Sequence, residues 1–226
     1  MILSIDLICS LMKILMNNSI IPVWKPANMY SNDVVRVIKE KYNVKAGHTG
    51  TLDPFAQGIL IVCTGSKTKE VERFQDLIKT YKSVIELGKT TNTLDPDGEV
   101  IIRNSHVPIL DKKNIKKCLD GFVGKIMQRP PSFCALRKNN VRLYELARKD
   151  IYIKLKPRPV SVYSIKLISF SQFELTIEVK CGKGTYIRSL AADISKALKT
   201  IGYLKFLERT HIGKYSKKNS YPVSYF

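Results

Sequence analysis

Apolar and polar positions alternate along the chain in ways that predict most of its elements. Residues 31–38 read Ser-Asn-Asp-Val-Val-Arg-Val-Ile. Apolar residues at helical spacing behind a hydroxyl side chain predict a helix over about 32–42 with Ser31 as its N-cap. Residues 45–58 carry three glycines and a proline and read as a long loop. The wholly apolar run from Gly58 to Thr64 reads as a buried strand. A helix is expected over 68–78, and Tyr81–Leu87 alternates as a strand. Asp95-Pro96-Asp97-Gly98 has the chemistry of a turn. Asp111 should cap a helix running to about Leu119. Strands are expected at about 160–170 and 173–180. Thr185 should cap a helix to about Lys199, closed by Gly202, and a last apolar run covers 203–207. Strands and helices interleave without strict βαβ regularity, which predicts an α+β (mixed α/β) sheet domain. No repeat or linker divides it.

The first 21 residues are rich in Ile, Leu and Met but interrupted by Asp6 and Lys13. These charges break a membrane span, and the start lacks the basic residues and cleavage site of a secretory signal. A short amphipathic helix or strand is one expectation. A translation start at Met12 or Met16 is another, motivated by the change of composition near Asn17. Residues 1–19 are therefore treated as an extension of unknown role, and 20–226 as the domain.

Charge is the most unusual property of the chain. The 226 residues hold 38 Lys+Arg against 19 Asp+Glu, a net charge of +19. A globular chain this basic meets nucleic acid more readily than any other partner. Between 111 and 160 stand 14 basic residues against 4 acids, about half of the whole excess. With Pro130, Pro131 and Phe133, that stretch reads as an RNA-contacting loop, the alternative being a lysine-rich exposed surface. The five cysteines contain no CxxC pair, and His48, His106 and His211 lie far apart. A disulfide framework and a metal site are not expected. Gly65-Ser66-Lys67-Thr68 and Gly182-Lys183-Gly184-Thr185 each miss a defining residue of a phosphate-binding loop.

The segment Gly47-His48-Thr49-Gly50-Thr51-Leu52-Asp53-Pro54 packs a histidine, two glycines and a carboxylate between a helix and a buried strand. By residue type alone Asp53 is a turn residue and His48 an exposed loop histidine. The longer run GHTGTLDPFAQGIL, however, resembles the signature of the tRNA pseudouridine synthase B (TruB) family. So do Lys25-Pro26 with Ser31-Asn32-Asp33-Val34, and Lys79-Thr80-Tyr81-Lys82 with Leu87-Gly88 and Thr90, Thr93, Asp95 and Gly98. Gln128-x-Pro130-Pro131-x-Phe133-x-Ala135-Leu136 with Tyr144, Ala147 and Arg148 matches as well, and so does Gly184-Thr185-Tyr186-Ile187-Arg188-Ser189-Leu190 with Asp193. The likeness is collinear over about residues 20–213.

This resemblance implies a pseudouridine synthase fold: a central mixed, largely antiparallel sheet flanked by helices, with an RNA-contacting insertion at about 124–158. It implies conversion of a T-loop uridine of tRNA, conventionally position 55, to pseudouridine without any cofactor. Asp53 matches the catalytic aspartate, Arg188 the arginine that pairs with it, and Tyr81 the tyrosine that stacks on the target base. His48 matches the residue that inserts where the flipped base leaves, and Tyr186 forms a second pocket wall. Lys25, as a pocket-supporting lysine, and Thr51 complete the binding set, with Arg137, Lys138 and Arg142 as RNA contacts. Asn28, Tyr30, Cys134, Arg137 and Glu208 depart from the family's usual residues without touching Asp53, Tyr81 or Arg188. No room is expected for the C-terminal RNA-binding PUA domain that many relatives carry. A cytoplasmic monomer acting on tRNA, with no metal and no membrane, is the resulting expectation. A non-catalytic RNA-binding or tRNA-folding protein, and a guide-dependent synthase acting on ribosomal RNA, are the alternatives.

Overall fold

The computed structural model describes residues 16–104, 107–138, 140–153 and 155–226. The expectations for the first fifteen residues lie outside that range. The chain packs as two units, residues up to Thr80 together with 208–226, and residues 81–207.

In the first unit, β1 (Ile20–Lys25) leads to α1 (Ser31–Tyr42), β2 (Ala46–His48) and β3 (Gln57–Thr64). The apolar run read as a buried strand is β3, and Ile59 through Cys63 are fully buried. Both of its faces are covered, so alternation is lost and the run reads as uniformly apolar. Leu60 and Val62 pack with Ile21 and Val23 of β1 and with Val34, Ile38 and Tyr42 of α1. Ile59, Ile61 and Cys63 point the other way, to Phe74 and Ile212. The helix expected over 68–78 is a 3-10 turn (Gly65–Glu70) followed by a short α2 (Val71–Gln75). Only Phe74 of that stretch is buried, so little apolar surface rewards a longer helix.

The second unit begins within β4 (Lys79–Leu87) and continues through β5 (Lys89–Thr91), β6 (Val100–Arg103), α3 (Lys112–Asp120) and β7 (Gly124–Gln128). Asp111 caps α3 as expected, its carboxylate accepting from the amides of Lys113 and Asn114, both at 2.9 Å. A two-residue hairpin follows, β8 (Arg137–Lys138) and β9 (Val141–Arg142), then α4 (Leu143–Ala147). The long antiparallel pair β10 (Arg158–Phe170) and β11 (Glu174–Cys181) precedes α5 (Ile187–Ala197). Thr185 does not cap α5. Its hydroxyl donates to the Gly182 carbonyl at 3.2 Å, and Tyr186 takes the N-cap position. Nor does Gly202 close the helix: Lys199 supplies the left-handed residue at φ +60°. Gly202 instead opens β12 (Gly202–Ile212), where a Cβ would come within 2.2 Å of the Ser195 hydroxyl.

β13 (Tyr215–Ser216) and β14 (Tyr221–Pro222) complete the first unit. Its strand order is β14-β1-β3-β12, with β1 antiparallel to β3 and β12 parallel to β3. In the second unit the order is β12-β4-β11-β10-β7. β4 and β12 run from one unit into the other, so no change of composition marks the division. The sheets are mixed, largely antiparallel and accompanied by helices, as an α+β fold requires. Among the described residues no helix is long and apolar enough to cross a membrane.

Candidate active site

In the first unit, the loop between β2 and β3 carries Asp53 half-buried, and three buried side chains hold it. Ser31, expected as a helix cap, is 3% exposed and points at the loop instead. Its hydroxyl donates to the Leu52 carbonyl and accepts from the Leu52 amide, both at 2.9 Å. The start of α1 is served by Asp33, whose carboxylate accepts from the Tyr30 amide at 3.3 Å. Arg209, on β12, is 2% exposed. It donates from Nε to the Ile59 carbonyl at 2.7 Å and from Nη2 to the Gly50 carbonyl at 3.1 Å. Its Nη1 reaches the Thr51 carbonyl at 3.4 Å. Lys25 is fully buried and donates to the carbonyls of Pro26, Met29 and Pro54 at 2.9, 2.7 and 3.1 Å. Fully buried, Lys25 ties the loop down through the Pro54 carbonyl.

These clamps act on the backbone at 50, 51, 52 and 54, on both sides of Asp53. A loop gains rigidity when its carbonyls and amides are tied to buried groups rather than to water. Gly58 allows Arg209 to come close enough. At φ +125°, a Cβ there would stand 2.3 Å from the Arg209 carbonyl oxygen. Thr51 exposes its side chain, and His48 lies half-buried in β2. The Gly50 amide donates to His48 Nδ1 at 3.3 Å, which places the ring hydrogen of the neutral form on Nε2.

In the second unit, Tyr81 lies in β4 at 8% exposure and Arg188 in the first turn of α5 at 5%. The guanidinium donates to the carbonyls of Thr93 and Phe133 at 2.9 and 2.8 Å and meets the Asp95 carboxylate at 3.1 Å. Asp95 therefore does more than turn the chain. Its other oxygen accepts from the Thr93 hydroxyl at 2.5 Å and the Asp97 amide at 3.1 Å. A planar guanidinium held by two carbonyls and a carboxylate has little rotational freedom left.

Tyr186 precedes Arg188 by two residues, and its backbone is gripped by Gln128 at the end of β7. The Gln128 amide donates to the Tyr186 carbonyl at 3.1 Å and accepts from the Tyr186 amide at 2.8 Å. Arg158 donates to the phenol oxygen at 3.3 Å and lies over the ring. Burial, reinforced by the neighbouring Cys134 thiol and opposed by Arg158, pushes the Tyr186 phenol up to about 12. It stays protonated at neutral pH. Arg137, Lys138 and Arg142 share the β8–β9 hairpin, with Arg137 opposite Arg142. Arg142 and Arg148 both approach the Tyr144 ring, at 5.9 and 5.5 Å. The basic loop is thus a small hairpin beside an aromatic ring.

Sequence reasoning missed the clamping roles of Ser31 and Arg209 and the pairing of Asp95. No local signal separates a buried arginine in an Arg-Thr dipeptide from a surface one. Among the described residues no cluster of three or more His, Cys, Asp or Glu stands ready to hold a metal ion.

Known proteins resemble this chain over most of its length. The tRNA pseudouridine synthase B of Francisella philomiragia subsp. philomiragia is 43% identical over 199 residues, covering 88% of this chain and 66% of the relative. That of Clostridium tetani is 40% identical over 204 residues, covering 90% and 70%. The structure of a Cbf5-Nop10-Gar1 complex contains a chain that is 26% identical with a TM-score of 0.71, covering 94% of this chain and 56% of that one. This chain thus spans about two thirds of the curated relatives' length and just over half of the structural one. The family model for TruB family pseudouridylate synthases, N-terminal domain, matches residues 36–187, a span that takes in both the clamped Asp53 loop and Tyr81 on β4. The chain belongs to the TruB family of pseudouridylate synthases.

Proposed function

We propose that the chain isomerises uridine to pseudouridine in the T loop of tRNA, at position 55, by way of a flipped-out base. The observation that carries this reading is the loop of Asp53, whose flanking backbone is tied down by Ser31, Lys25 and Arg209. A carboxylate that must act at the sugar or the base of one nucleotide has to be held in place before the substrate arrives. The reaction breaks the C1′–N1 bond, turns the freed uracil and joins C1′ to C5, while the C5 hydrogen leaves as a proton and N1 regains one. Bonds and electrons balance within the nucleotide, so no redox partner or energy source enters.

In this reading Asp53 is the catalytic carboxylate and Tyr81 stacks on the base near the C5 proton. Arg188 supplies the cation that a carboxylate in a closed pocket needs in order to stay charged. His48 fills the space the flipped base leaves, offsetting part of the few kcal/mol that unstacking costs. Tyr186 forms a wall beside the base, Thr51 binds the RNA substrate, and Arg137, Lys138 and Arg142 meet tRNA phosphates. The protein works in the cytoplasm as a monomer. The likeness to the chain of the Cbf5-Nop10-Gar1 complex supports a second reading, action on another RNA with a guide. Higher identity to relatives named for tRNA favours the first.

One assay separates these readings: tritium release from C5-labelled uridine in an unmodified tRNA transcript with no guide RNA. The wild-type chain should release tritium, and Asp53→Asn should abolish release while binding tRNA almost as tightly. Turnover by the variant, or none by the wild type, overturns the proposal.

A further inference from the structure

On the first unit, the side chains of Trp24, Glu208, Thr210, His211, Lys217 and Lys218 line an open cavity of about 310 Å³. That is the lower end of the range of small-molecule sites, about 300–1,000 Å³. None of its residues has a part in the reaction above. Trp24 rests on the core beneath β1 and is only half-buried. The Lys217 ammonium lies 4.8 Å from its ring centroid. An exposed, flexible lysine over an indole is readily displaced by a flat ring, because stacking a base on an aromatic face is the stronger contact.

Glu208 is the unusual member. In a chain of net charge +19 it lines a cavity with two lysines, yet no cation among the described residues comes within ion-pairing distance of it. It accepts instead from the neutral amide of Gln57, at 2.6 Å through Oε2. A carboxylate has about four acceptor positions and no donor, so this lining residue keeps acceptor capacity. Among the bases, only guanine offers two adjacent donors, N1–H and N2–H, on one edge to match a carboxylate. Adenine and cytosine offer an amino group beside an acceptor, and uracil a single imino group between two carbonyls. Lys217 and Lys218, both exposed at the rim, suit a phosphate.

We propose that this cavity binds one guanine nucleotide, with the base stacked on Trp24, its N1–H/N2–H edge on Glu208 and its phosphate on Lys217 and Lys218. A free nucleotide and an unpaired guanosine within RNA present the same groups. The chain has one tryptophan, so indole emission reports on this cavity alone.

The test titrates the full chain with GMP, AMP, inorganic phosphate and two five-residue RNAs, UUGUU and UUAUU, while following that emission. GMP should quench saturably and bind at least about tenfold more tightly than AMP, the discrimination expected of one good two-point base contact. Glu208→Gln places an amide donor against the guanine edge and should bring the GMP-to-AMP preference to about one, with the circular dichroism spectrum unchanged. Lys217→Ala should weaken both nucleotides alike. Quenching by GMP and UUGUU identifies a guanosine of RNA as the ligand, and quenching by GMP alone a free nucleotide; both uphold the site. No quenching by GMP, equal quenching by AMP or phosphate, or an undiminished preference in Glu208→Gln overturns it. The readout is binding, so tritium release from tRNA stands or falls separately.

Discussion

Replacing Ser31 with alanine tests how the Asp53 loop is held. One buried hydroxyl serves both backbone groups of Leu52, each at 2.9 Å, and Leu52 itself is 3% exposed. Alanine leaves a buried N–H and a buried C=O without that partner. An orphaned buried group costs about 1–3 kcal/mol, so the ceiling is about 6 kcal/mol. Thr51 and Asp53 on either side reach solvent, and the loop can shift toward water to recover part of this. The expected net loss is about 2–3 kcal/mol, and at about 2–4 °C per kcal/mol for a chain of this size Tm should fall by roughly 5–10 °C. The same shift moves the neighbouring carboxylate, and a displacement near 1 Å costs about a hundredfold in rate. At 25 °C, where the variant is still folded, tritium release should drop about 10- to 100-fold with tRNA affinity changed less than about twofold. The melting and turnover arms are independent. A variant that melts within about 1 °C of wild type and turns over at the same rate would show that neither bond restrains the loop.

Asp95→Asn should remove a buried carboxylate that Arg188 meets at 3.1 Å and cost about 1–3 kcal/mol; chemical denaturation showing no loss would mean that the other contacts of Arg188 suffice. Alanine at Arg137, Lys138 and Arg142 should flatten the dependence of tRNA affinity on salt, by about one unit of slope for each phosphate no longer neutralised. An unchanged slope would return the hairpin to ordinary solvated surface. Glu86 on β4 provides a pH prediction. Burial raises its pKa, but hydrogen bonds from Lys89 and Tyr203 and the charges of Lys89 and Lys205 outweigh it and hold the carboxyl below its ordinary range. A depressed folded-state pKa stabilises above the unfolded value of about 4.3 and loses that contribution as pH falls through the folded value. Glu86→Gln should therefore lower Tm at neutral pH and flatten its fall below about pH 4.5; an acid limb identical to wild type would refute the assignment.

Much of the fold is legible where local chemistry and tertiary packing agree. α1, β3, β4, α3 and the β10–β11 pair all form where apolar spacing places them, because each buries its own apolar side against the core. The stretch over 68–78 reads as a longer helix than forms, because its spacing looks helical while only Phe74 has a core to enter. Caps are less legible than elements. Asp111 caps α3, but Ser31 and Thr185 do not cap α1 and α5, since a hydroxyl accepts whichever partner the fold brings near.

The fold class, the surplus of positive charge and the loop that marks the family can be read without a structure, because each is written in contiguous residues. What holds the functional groups emerges only when the chain folds. Arg209 meets Gly50 across 159 positions of chain, Ser31 meets Leu52 across 21, and Arg188 meets Thr93 across 95. Such pairs leave no periodicity or spacing to read. They arise because buried donors and acceptors must be satisfied, and in a folded chain the partner that satisfies them is the nearest in space rather than in sequence.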